Sequence, residues 1–384
     1  MINVTDPSKC CGCSACLAVC PHDAVAMKAD ALGFPYPHVD ESRCVECGLC
    51  EKVCAFVPDA AGHEKVSEDI KVEARAFRHE DADVVSDSQS GGAFTALSDL
   101  ILNEGGVIYG AAFDEEHMVR HIRVVTADER AALRGSKYVQ SDLNGSFRAV
   151  KDDLKGGRRV MFVGSPCQVA GLKSYIPDSL KGNLVLVDFI CHGVPSPAVW
   201  KDYVRYMSRH GNIVKACFRD KSEGGWKIHK ESFVYENGKK RTGETYRILF
   251  YKNIMLRHSC AVCPYDVANH KSDVTIADFW GVDEIAPALD GNAGTSMVIC
   301  NTARGQELLD KASENMMTAP VVLDYDFMSR RNPNLIRPAK IYKDRMKFEE
   351  EYAAKGFLSV ARHWSDLGLR YRLWQLKKFI LRKK

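Results

Sequence analysis

Short apolar runs alternate with amphipathic segments from about residue 72 onward, and this pattern of hydrophobic and polar positions predicts alternating strands and helices. Apolar runs of strand length lie at 105–113, 121–126, 158–164, 183–190 and 274–281. Residues 94–106 place apolar side chains three and four positions apart and then stop at two glycines, which predicts a helix. Strands that alternate with helices indicate an α/β core.

The two ends of the chain depart from this pattern. Residues 1–57 hold two dense cysteine runs, and 57–69 are polar and rich in small residues, which predicts a linker. Near the C-terminus, one apolar helical stripe is formed by Val360, Trp364, Leu367, Tyr371 and Trp374. Its basic surroundings leave two interpretations open: a helix packed on the core, which we favour, or peripheral contact with an anionic membrane surface.

Composition narrows the class of protein. The 384 residues are 46% hydrophobic and 27% charged, which is ordinary for a globular chain. A net charge of only +3 gives no global case for a nucleic-acid partner. The chain shows no secretory signal and no apolar run of membrane-spanning length, so we expect a cytoplasmic protein, with membrane association only at the periphery. Fifteen cysteines in that setting favour metal binding over disulfides.

The N-terminal cysteines follow the spacing of a two-cluster ferredoxin, C-x2-C-x2-C-x3-C, and follow it twice. Three closely spaced thiolates grip one cluster, and the fourth lies too far along the chain and crosses to the other cluster. The first predicted [4Fe-4S] set is Cys10, Cys13, Cys16 and Cys54. The second predicted [4Fe-4S] set is Cys20, Cys44, Cys47 and Cys50.

Zinc is the alternative for these two runs, but zinc sites pair C-x2-4-C motifs across a dozen or more residues. Iron–sulfur clusters are therefore favoured. Two features depart from the ferredoxin pattern. Ala55 stands where a proline is expected, and Cys11 is an additional thiol beside a ligand, which we interpret as a bystander.

Four further cysteines suggest a third site in the core. Cys167 and Cys191 each follow a predicted strand, and Cys260 and Cys263 form a C-x2-C pair. Ligands gather at the carboxyl ends of strands in open α/β sheets, so these thiols can face one another. From spacing alone a third cluster, a four-cysteine zinc site and simple buried thiols all remain open.

Two short segments are candidates for binding an anionic group. The run "SGGAF" at 90–94 opens the predicted helix, where free N–H groups suit a phosphate, although a tight glycine turn is the favoured interpretation. The run "GSKYVQS" at 135–141 offers Lys137 and hydroxyl groups, and by itself is no better than a solvated loop.

Taken together, these segments resemble the family of beta subunits of coenzyme F420 hydrogenases and dehydrogenases, fused to an N-terminal ferredoxin unit. The resemblance is carried by "QSGGAFTAL" (89–97), "YGAAF" (109–113), "RGSKYVQS" (134–141), "GSPCQVAGLK" (164–173), "CHGVPSP" (191–197), "CAVCPYDVAN" (260–269) and "DVTIADFWG" (273–281). It implies an FAD-binding iron–sulfur enzyme. The third [4Fe-4S] cluster would be held by Cys167, Cys191, Cys260 and Cys263. The implied FAD contacts are Ser90, Gly91, Gly92, Ser136 and Lys137.

The expected function is a flavin-dependent iron–sulfur oxidoreductase. Electrons would pass between a ferredoxin-like one-electron carrier, or a reduced deazaflavin, and a small organic substrate through the clusters and FAD. The alternative is a non-catalytic electron-transfer subunit that feeds a partner oxidoreductase. His192 is the candidate catalytic residue, as a proton donor to substrate or flavin. A histidine that only hydrogen-bonds beside a cluster is the favoured alternative for it.

The expected fold mixes α+β and α/β character: a small two-cluster ferredoxin-like domain, a larger α/β flavin-binding core and a C-terminal helical tail. The expected boundaries are 1–57 for the ferredoxin-type domain, 58–71 for the linker, 72–340 for the core and 341–384 for the basic tail.

Overall fold

The computed structural model describes residues 1–56, 66–143, 145–368 and 371. The first of these segments folds as a small unit around an antiparallel hairpin, β1 (Val25–Ala29) and β2 (Pro35–Val39). One short helix lies in each cysteine run, α1 (Ala15–Val19) and α2 (Leu49–Lys52). Each of these helices begins after a residue with left-handed backbone, which turns the run back on itself.

The rest of the described chain contains eleven strands in two sheets. In chain order they are β3 (Lys71–Arg78), β4 (Val107–Phe113), β5 (Val119–Val124), β6 (Val160–Val163), β7 (Leu184–Phe189), β8 (Ile213–Cys217), β9 (Glu231–Tyr235), β10 (Lys240–Gly243), β11 (Val274–Asp278), β12 (Ser296–Cys300) and β13 (Met317–Asp324). The central sheet has the order β13-β3-β12-β11-β7-β6-β4-β5, and β10-β9-β8 form a small antiparallel sheet.

Helices flank these sheets. They are α3 (Ala82–Asp87), α4 (Ala93–Asn103), α5 (Ala127–Arg130), α6 (Ser146–Lys155), α7 (Pro166–Tyr175), α8 (Pro197–Ser208), α9 (Thr245–Tyr251), α10 (Val282–Ile285), α11 (Ala303–Ala312), α12 (Tyr325–Arg331) and α13 (Arg345–Trp364). Short 3₁₀ segments lie at Pro7–Lys9, Ala131–Leu133, Asp178–Asn183, Lys221–Glu223, His258–Val262, Pro287–Leu289 and Pro333–Leu335.

The centre of the large sheet is parallel. Strands β4, β6, β7 and β11 run in the same direction, so their carboxyl ends meet at one edge. Val160, Phe162 and Val187 on these strands are almost fully buried, because helices cover both faces. Each such side chain contributes about 1.5–3 kcal/mol through burial, which fixes the edge that carries the site.

The predicted strands and the helix at 94–106 are present with small shifts of their ends, and the mixed α/β architecture is confirmed. The antiparallel strands β12, β3 and β13 at one side of the sheet were not part of the prediction. Most of the predicted linker lies outside the described residues.

The tail begins with α13, whose helical backbone is interrupted at Gly356 (φ 70°). Val360 and Trp364 pack into the core, as the favoured interpretation of the tail predicts. Trp374 and the basic run around it lie outside the described residues, so membrane contact stays a prediction. In the described part of the chain, no helix has the length and apolar character needed to cross a membrane.

Candidate functional site

The structure brings the first predicted set of thiols together at the end of α1. Cys13 and Cys16 are buried, and Cys54 approaches from the second run. Burial raises the pKa of Cys10, and the nearby Cys13 and Cys54 raise it further. The backbone N–H of Gly12 donates a hydrogen bond to Cys10 Sγ at 3.4 Å. Hydrogen bonds of this kind to sulfur are a usual feature of iron–sulfur sites.

The second predicted set lines a single pocket at the surface, formed by Cys20, Cys44, Cys47 and Cys50. Cys47 is exposed, and the other three thiols are half-buried. Backbone N–H groups again point at sulfur: Ile2 N lies 3.3 Å from Cys50 Sγ, and Ala24 N lies 3.4 Å from Cys20 Sγ. The second set therefore sits closer to solvent than the first.

The third set comes from three separate parts of the core. Cys167 lies in the first turn of α7 just after β6, and Cys191 lies two residues past the end of β7. Cys260 and Cys263 come from the 3₁₀ segment His258–Val262 and the residue after it. All four line one pocket, so the parallel strand ends place together thiols that are far apart in sequence.

Local backbone geometry supports this third pocket. The N–H groups of Gly193 and Val194 donate to Cys191 Sγ (3.4 Å) and Cys260 Sγ (3.2 Å). Gly193 has a φ of +120°, and a Cβ there would lie 2.8 Å from Leu256 Cδ1. Glycine is therefore required for the turn that aims these two N–H groups at the sulfurs.

The donor chemistry of all three sets fits a [4Fe-4S] cluster, because each set supplies four thiols and each has at least one sulfur that accepts a hydrogen bond from a backbone N–H group. Burial raises the pKa of Cys260 to about 11 and raises that of Cys191 well above its ordinary value. Such thiols keep their protons until a metal binds and releases them. In the described residues, no three His, Cys, Asp or Glu side chains are placed to hold a single metal ion.

Cys11, interpreted from the sequence as a bystander, lies between two of the sets. It is buried and lines the pocket of the third set. Its thiol hydrogen-bonds to the sulfurs of Cys13 and Cys167, which raises the pKa of Cys11 well above its ordinary value. The same bond lowers the pKa of Cys167 to about 7. One sulfur therefore touches a first-set thiol and a third-set thiol.

The turn at 90–92, a candidate FAD contact, has internal partners for its polar groups. Ser90 Oγ donates to Thr295 O at 2.7 Å, and Gly91 N donates to Ser296 Oγ at 2.9 Å. A Cβ at Gly91 would collide with the carbonyl oxygen of Phe77. Gly92 (φ +90°) lies directly before α4. Packing against β3 and β12 therefore already requires these glycines.

Two lysines are candidates to contact an anionic cofactor. Lys137 Nζ donates to Ala132 O (2.9 Å) and Arg134 O (2.8 Å), and burial lowers its pKa to about 7. Lys221 lies beside the turn: its Nζ donates to Val85 O (2.7 Å), Ala293 O (2.7 Å) and Ser90 O (3.3 Å), and burial lowers its pKa to about 8.

Within the described residues, neither lysine forms an ion pair with a carboxylate. A diphosphate would supply the missing negative charge. Ser136 directly precedes Lys137, and its hydroxyl interacts with the phenol of Tyr138. Lys221 belongs to no motif of the sequence, and no spacing signal marks it.

The end of β11 carries a packed polar cluster. The guanidinium of Arg219 pairs with the Asp278 carboxylate, and Trp226 Nε1 donates to Asp278 Oδ1 at 3.0 Å. The Trp226 ring stacks on Trp280 with centroids 4.8 Å apart and planes at 6°. The ion pair and the tryptophan hydrogen bond both hold the Asp278 carboxylate at the end of β11, while Arg219 Nε is buried without a partner.

His192 follows Cys191 directly. Its Nε2 lies 2.7 Å from Asn253 Oδ1, and its ring centroid lies 4.9 Å from that of Phe250. The Asn253 amide in turn donates to Lys340 O at 2.9 Å. The imidazole is thus held in one orientation beside a third-set thiol, a geometry that suits either of the two predicted roles.

Comparison with known proteins matches both parts of the chain. Residues 9–57 match the family described as a 4Fe-4S dicluster domain, and residues 157–321 match the family described as the C terminus of the beta subunit of coenzyme F420 hydrogenase/dehydrogenase. The first match covers the two N-terminal cysteine runs, and the second covers the four cysteines of the third set.

Two curated relatives are similar. The coenzyme F420-dependent sulfite reductase of Methanocaldococcus jannaschii is 25% identical over 326 residues, which are 80% of this chain and 46% of that protein. The F subunit of the F(420)H(2) dehydrogenase of Methanosarcina mazei is 24% identical over 187 residues, 46% of this chain and 51% of that protein. The chain thus spans about half the length of the relatives that it matches.

One solved structure is also similar: a chain of the F420-reducing [NiFe] hydrogenase complex from Methanosarcina barkeri, at 19% identity and a TM-score of 0.48, over 79% of this chain and 92% of that chain. Both curated relatives are named as a reductase or a dehydrogenase subunit, and both names include coenzyme F420. The chain thus carries a segment, residues 157–321, that matches the C terminus of coenzyme F420 hydrogenase/dehydrogenase beta subunits, and a 4Fe-4S dicluster domain at residues 9–57.

Proposed function

We propose that this chain is an iron–sulfur flavoprotein oxidoreductase that connects a one-electron carrier to a two-electron organic partner. The observation that carries the proposal is a series of neighbouring thiols from the exposed Cys47 to the buried pocket at the strand ends. Two [4Fe-4S] clusters in the N-terminal unit, a third in the core and FAD beside it would complete the assembly.

The order of the three sets follows from burial and contact. The second set is nearest to solvent and is where a ferredoxin-like carrier or a partner subunit would dock. Cys54 interacts with Cys50 of the second set and with Cys13 of the first. Cys11 then spans from Cys13 to Cys167 of the third set. The residues therefore define one route from the surface to the strand ends.

At the inner end, we propose that Lys137 and Lys221 bind the diphosphate of FAD, with Ser136 and the 90–92 turn beside them. A bound flavin supplies the exchange between two-electron hydride chemistry and one-electron carriers. The chain's own contribution is to hold the cofactor at the edge where the parallel strands end, next to the third set. His192 follows Cys191 directly at this edge, and we propose that it acts by position, with its Nε2 held by Asn253.

Coenzyme F420, a deazaflavin, is the two-electron partner that we propose, because both curated relatives carry it in their names. A small organic substrate is the alternative partner at the same site. A second candidate function is an electron-transfer subunit that passes electrons to a separate oxidoreductase. The exposed Cys47, and the name of one relative as a dehydrogenase subunit, favour that alternative.

The experiment is anaerobic reduction of the full chain after reconstitution with iron, sulfide and FAD. Addition of reduced F420 should bleach the flavin absorbance first and the broad cluster absorbance afterwards, and methyl viologen should then accept the electrons. Failure of reduced F420 to bleach either chromophore, in protein that dithionite does reduce, would overturn F420 as the partner. Turnover of a small substrate without any added protein would separate the enzyme from the electron-transfer subunit.

A further inference from the structure

Arg257 has a fully buried guanidinium with only neutral hydrogen-bond partners. The side chain is 0% exposed. Its Nε donates to Cys10 O at 2.7 Å, its Nη1 to Gln140 Oε1 at 3.0 Å, and its Nη2 to Pro35 O at 2.9 Å. The Tyr36 ring lies 4.2 Å from its Cζ. All three hydrogen-bond acceptors are uncharged.

The other buried arginines of the described residues each form an ion pair with a carboxylate. Arg130 pairs with Asp99, Arg219 with Asp278, and Arg345 with Glu349. No Asp or Glu in the described ranges 1–56, 66–143 and 145–368 forms an ion pair with Arg257. A buried charge without a counter-ion costs on the order of several kcal/mol even after relaxation, so an anionic group is expected beside it.

Two thiol sets lie beside this guanidinium. Arg257 lines the pocket of Cys167 and Cys260, and it donates a hydrogen bond to the carbonyl oxygen of Cys10. The approach to the first run is possible because residue 12 is glycine: a Cβ there would lie 2.8 Å from Arg257 Nη1. The pocket of the second set is not lined by Arg257.

We propose that Arg257 is the shared counter-ion of the clusters held by the first and third thiol sets, and that it raises their reduction potentials relative to the cluster of the second set. This inference rests on the proposed function. A cube held by four thiolates is negatively charged, and one-electron reduction adds another negative charge. A fixed positive charge therefore stabilises the reduced form more than the oxidised form.

The test is a spectroelectrochemical titration of the full chain loaded with iron and sulfide, comparing Arg257→Gln, Arg257→Lys and the unsubstituted protein. In R257Q we expect the reduction potentials of two of the three one-electron waves to fall. The fall should correspond to at least a tenfold change in the reduction equilibrium, which is about 59 mV for a one-electron couple. The third wave, from the second set, should not move. R257K keeps the charge and should remain nearer to the unsubstituted protein.

A second variant guards against misfolding of R257Q. Gln140→Glu has the same shape and places a carboxylate on Arg257 Nη1, so it should lower the same two waves without removing the arginine. Arg130→Gln is the matched control: Arg130 is also buried, has its own aspartate and lines neither thiol pocket, and its loss should leave every wave in place.

The outcomes separate this inference from the proposed function. Waves that stay in place in both R257Q and Q140E, in protein with its full iron content, would overturn the inference alone. Equal shifts of all three waves would also overturn it, because they would indicate a general loss of structure. A chain that retains no acid-labile sulfide before any substitution would overturn the proposed function itself.

Discussion

The N-terminal unit and the sheet edge hold cysteines in opposite ways. In the N-terminal unit, eight proposed ligands come from two short runs, and turns at left-handed residues such as Ser14 and Gly48 fold each run locally. At the sheet edge, four proposed ligands spread from Cys167 to Cys263 meet only because β6 and β7 are parallel neighbours. Local spacing therefore encodes the first arrangement, whereas sheet order determines the second.

The two regions also differ in solvent access, and this difference suits their proposed roles. Cys47 is exposed at the outer end, and Cys260 is buried at the inner end. Cys11 and Arg257 lie where the N-terminal unit meets the sheet edge, and each contacts both regions. In the proposed function, a carrier would exchange electrons at the outer end, and the two-electron chemistry would take place at the inner end.

The largest effect is expected from removing one ligand at the sheet edge. Cys191→Ser should lower the iron content by about four atoms per chain, because one of the four thiols that hold the third cluster is gone. Electron transfer from dithionite to FAD through the clusters should stop with it. Metal analysis by mass spectrometry and stopped-flow flavin absorbance measure the two effects.

The matched control for that variant is Cys217→Ser. Cys217 is a half-buried thiol that lies in none of the three sets. The iron content and the flavin reduction of C217S should therefore equal those of the unsubstituted chain. An equal iron content in C191S and C217S would contradict a third cluster at the sheet edge. The proposal would then be limited to the two clusters of the N-terminal unit.

A methyl group added where the N-terminal unit contacts the core tests how tightly the two regions are packed. At Gly171 in α7, a Cβ would lie 2.6 Å from Cys13 Sγ and 2.9 Å from Cys13 Cβ. Gly171→Ala should destabilise the protein by about 1–3 kcal/mol through overpacking, although alanine favours a helix over glycine by about 1 kcal/mol. Urea unfolding measures the change in the free energy of unfolding.

Gly182→Ala is the control, because the space around residue 182 is open. It should change the free energy of unfolding by less than about 0.5 kcal/mol. An equal effect at both positions would argue against close packing at Gly171.

The lysines predict a pH dependence of flavin binding at the inner end. Anion binding favours the charged ammonium, and burial puts the pKa of Lys137 at about 7 and that of Lys221 at about 8. FAD should therefore bind most tightly below pH 7, and its Kd should rise as the pH rises through 8, by about tenfold for each charge lost. Fluorescence titration of flavin-free protein measures Kd.

Lys137→Met and Lys221→Met should each weaken binding and flatten this pH profile. Lys239→Met removes an exposed lysine in the β9–β10 turn and should change neither. A Kd that is constant from pH 6 to pH 9 in the unsubstituted chain, or a steep profile that persists in both variants, would remove the lysines from the flavin site.

The smallest effect concerns His192. Because Asn253 holds its Nε2, we expect the histidine to act by position, and His192→Gln should lower turnover less than about tenfold. A general acid would lose about 10²–10⁴-fold on the same change. His38→Gln, at an exposed position in β2, is the control in a steady-state assay. A loss of hundredfold or more in H192Q alone would assign proton transfer to His192.

The sequence predicts most of what depends on short-range pattern. The central strands follow from apolar runs, and the N-terminal cysteines follow from a repeated spacing that matches the dicluster domain. The prediction missed Arg257 and Lys221 because each is a single basic residue outside any motif, and only the folded chain shows that Arg257 is buried, Lys221 is half-buried, and neither has a carboxylate partner among the described residues. The antiparallel strands β12, β3 and β13 were missed because their pairing is set by contacts distant in sequence.

The most direct test of the central claim, that three thiol sets form one route to a flavin, is a count of iron, acid-labile sulfide and FAD in anaerobically isolated protein. We expect about twelve iron and about twelve sulfide per chain, with one FAD, from three [4Fe-4S] clusters. About eight iron without flavin, or zinc in place of iron in any set, would contradict that claim.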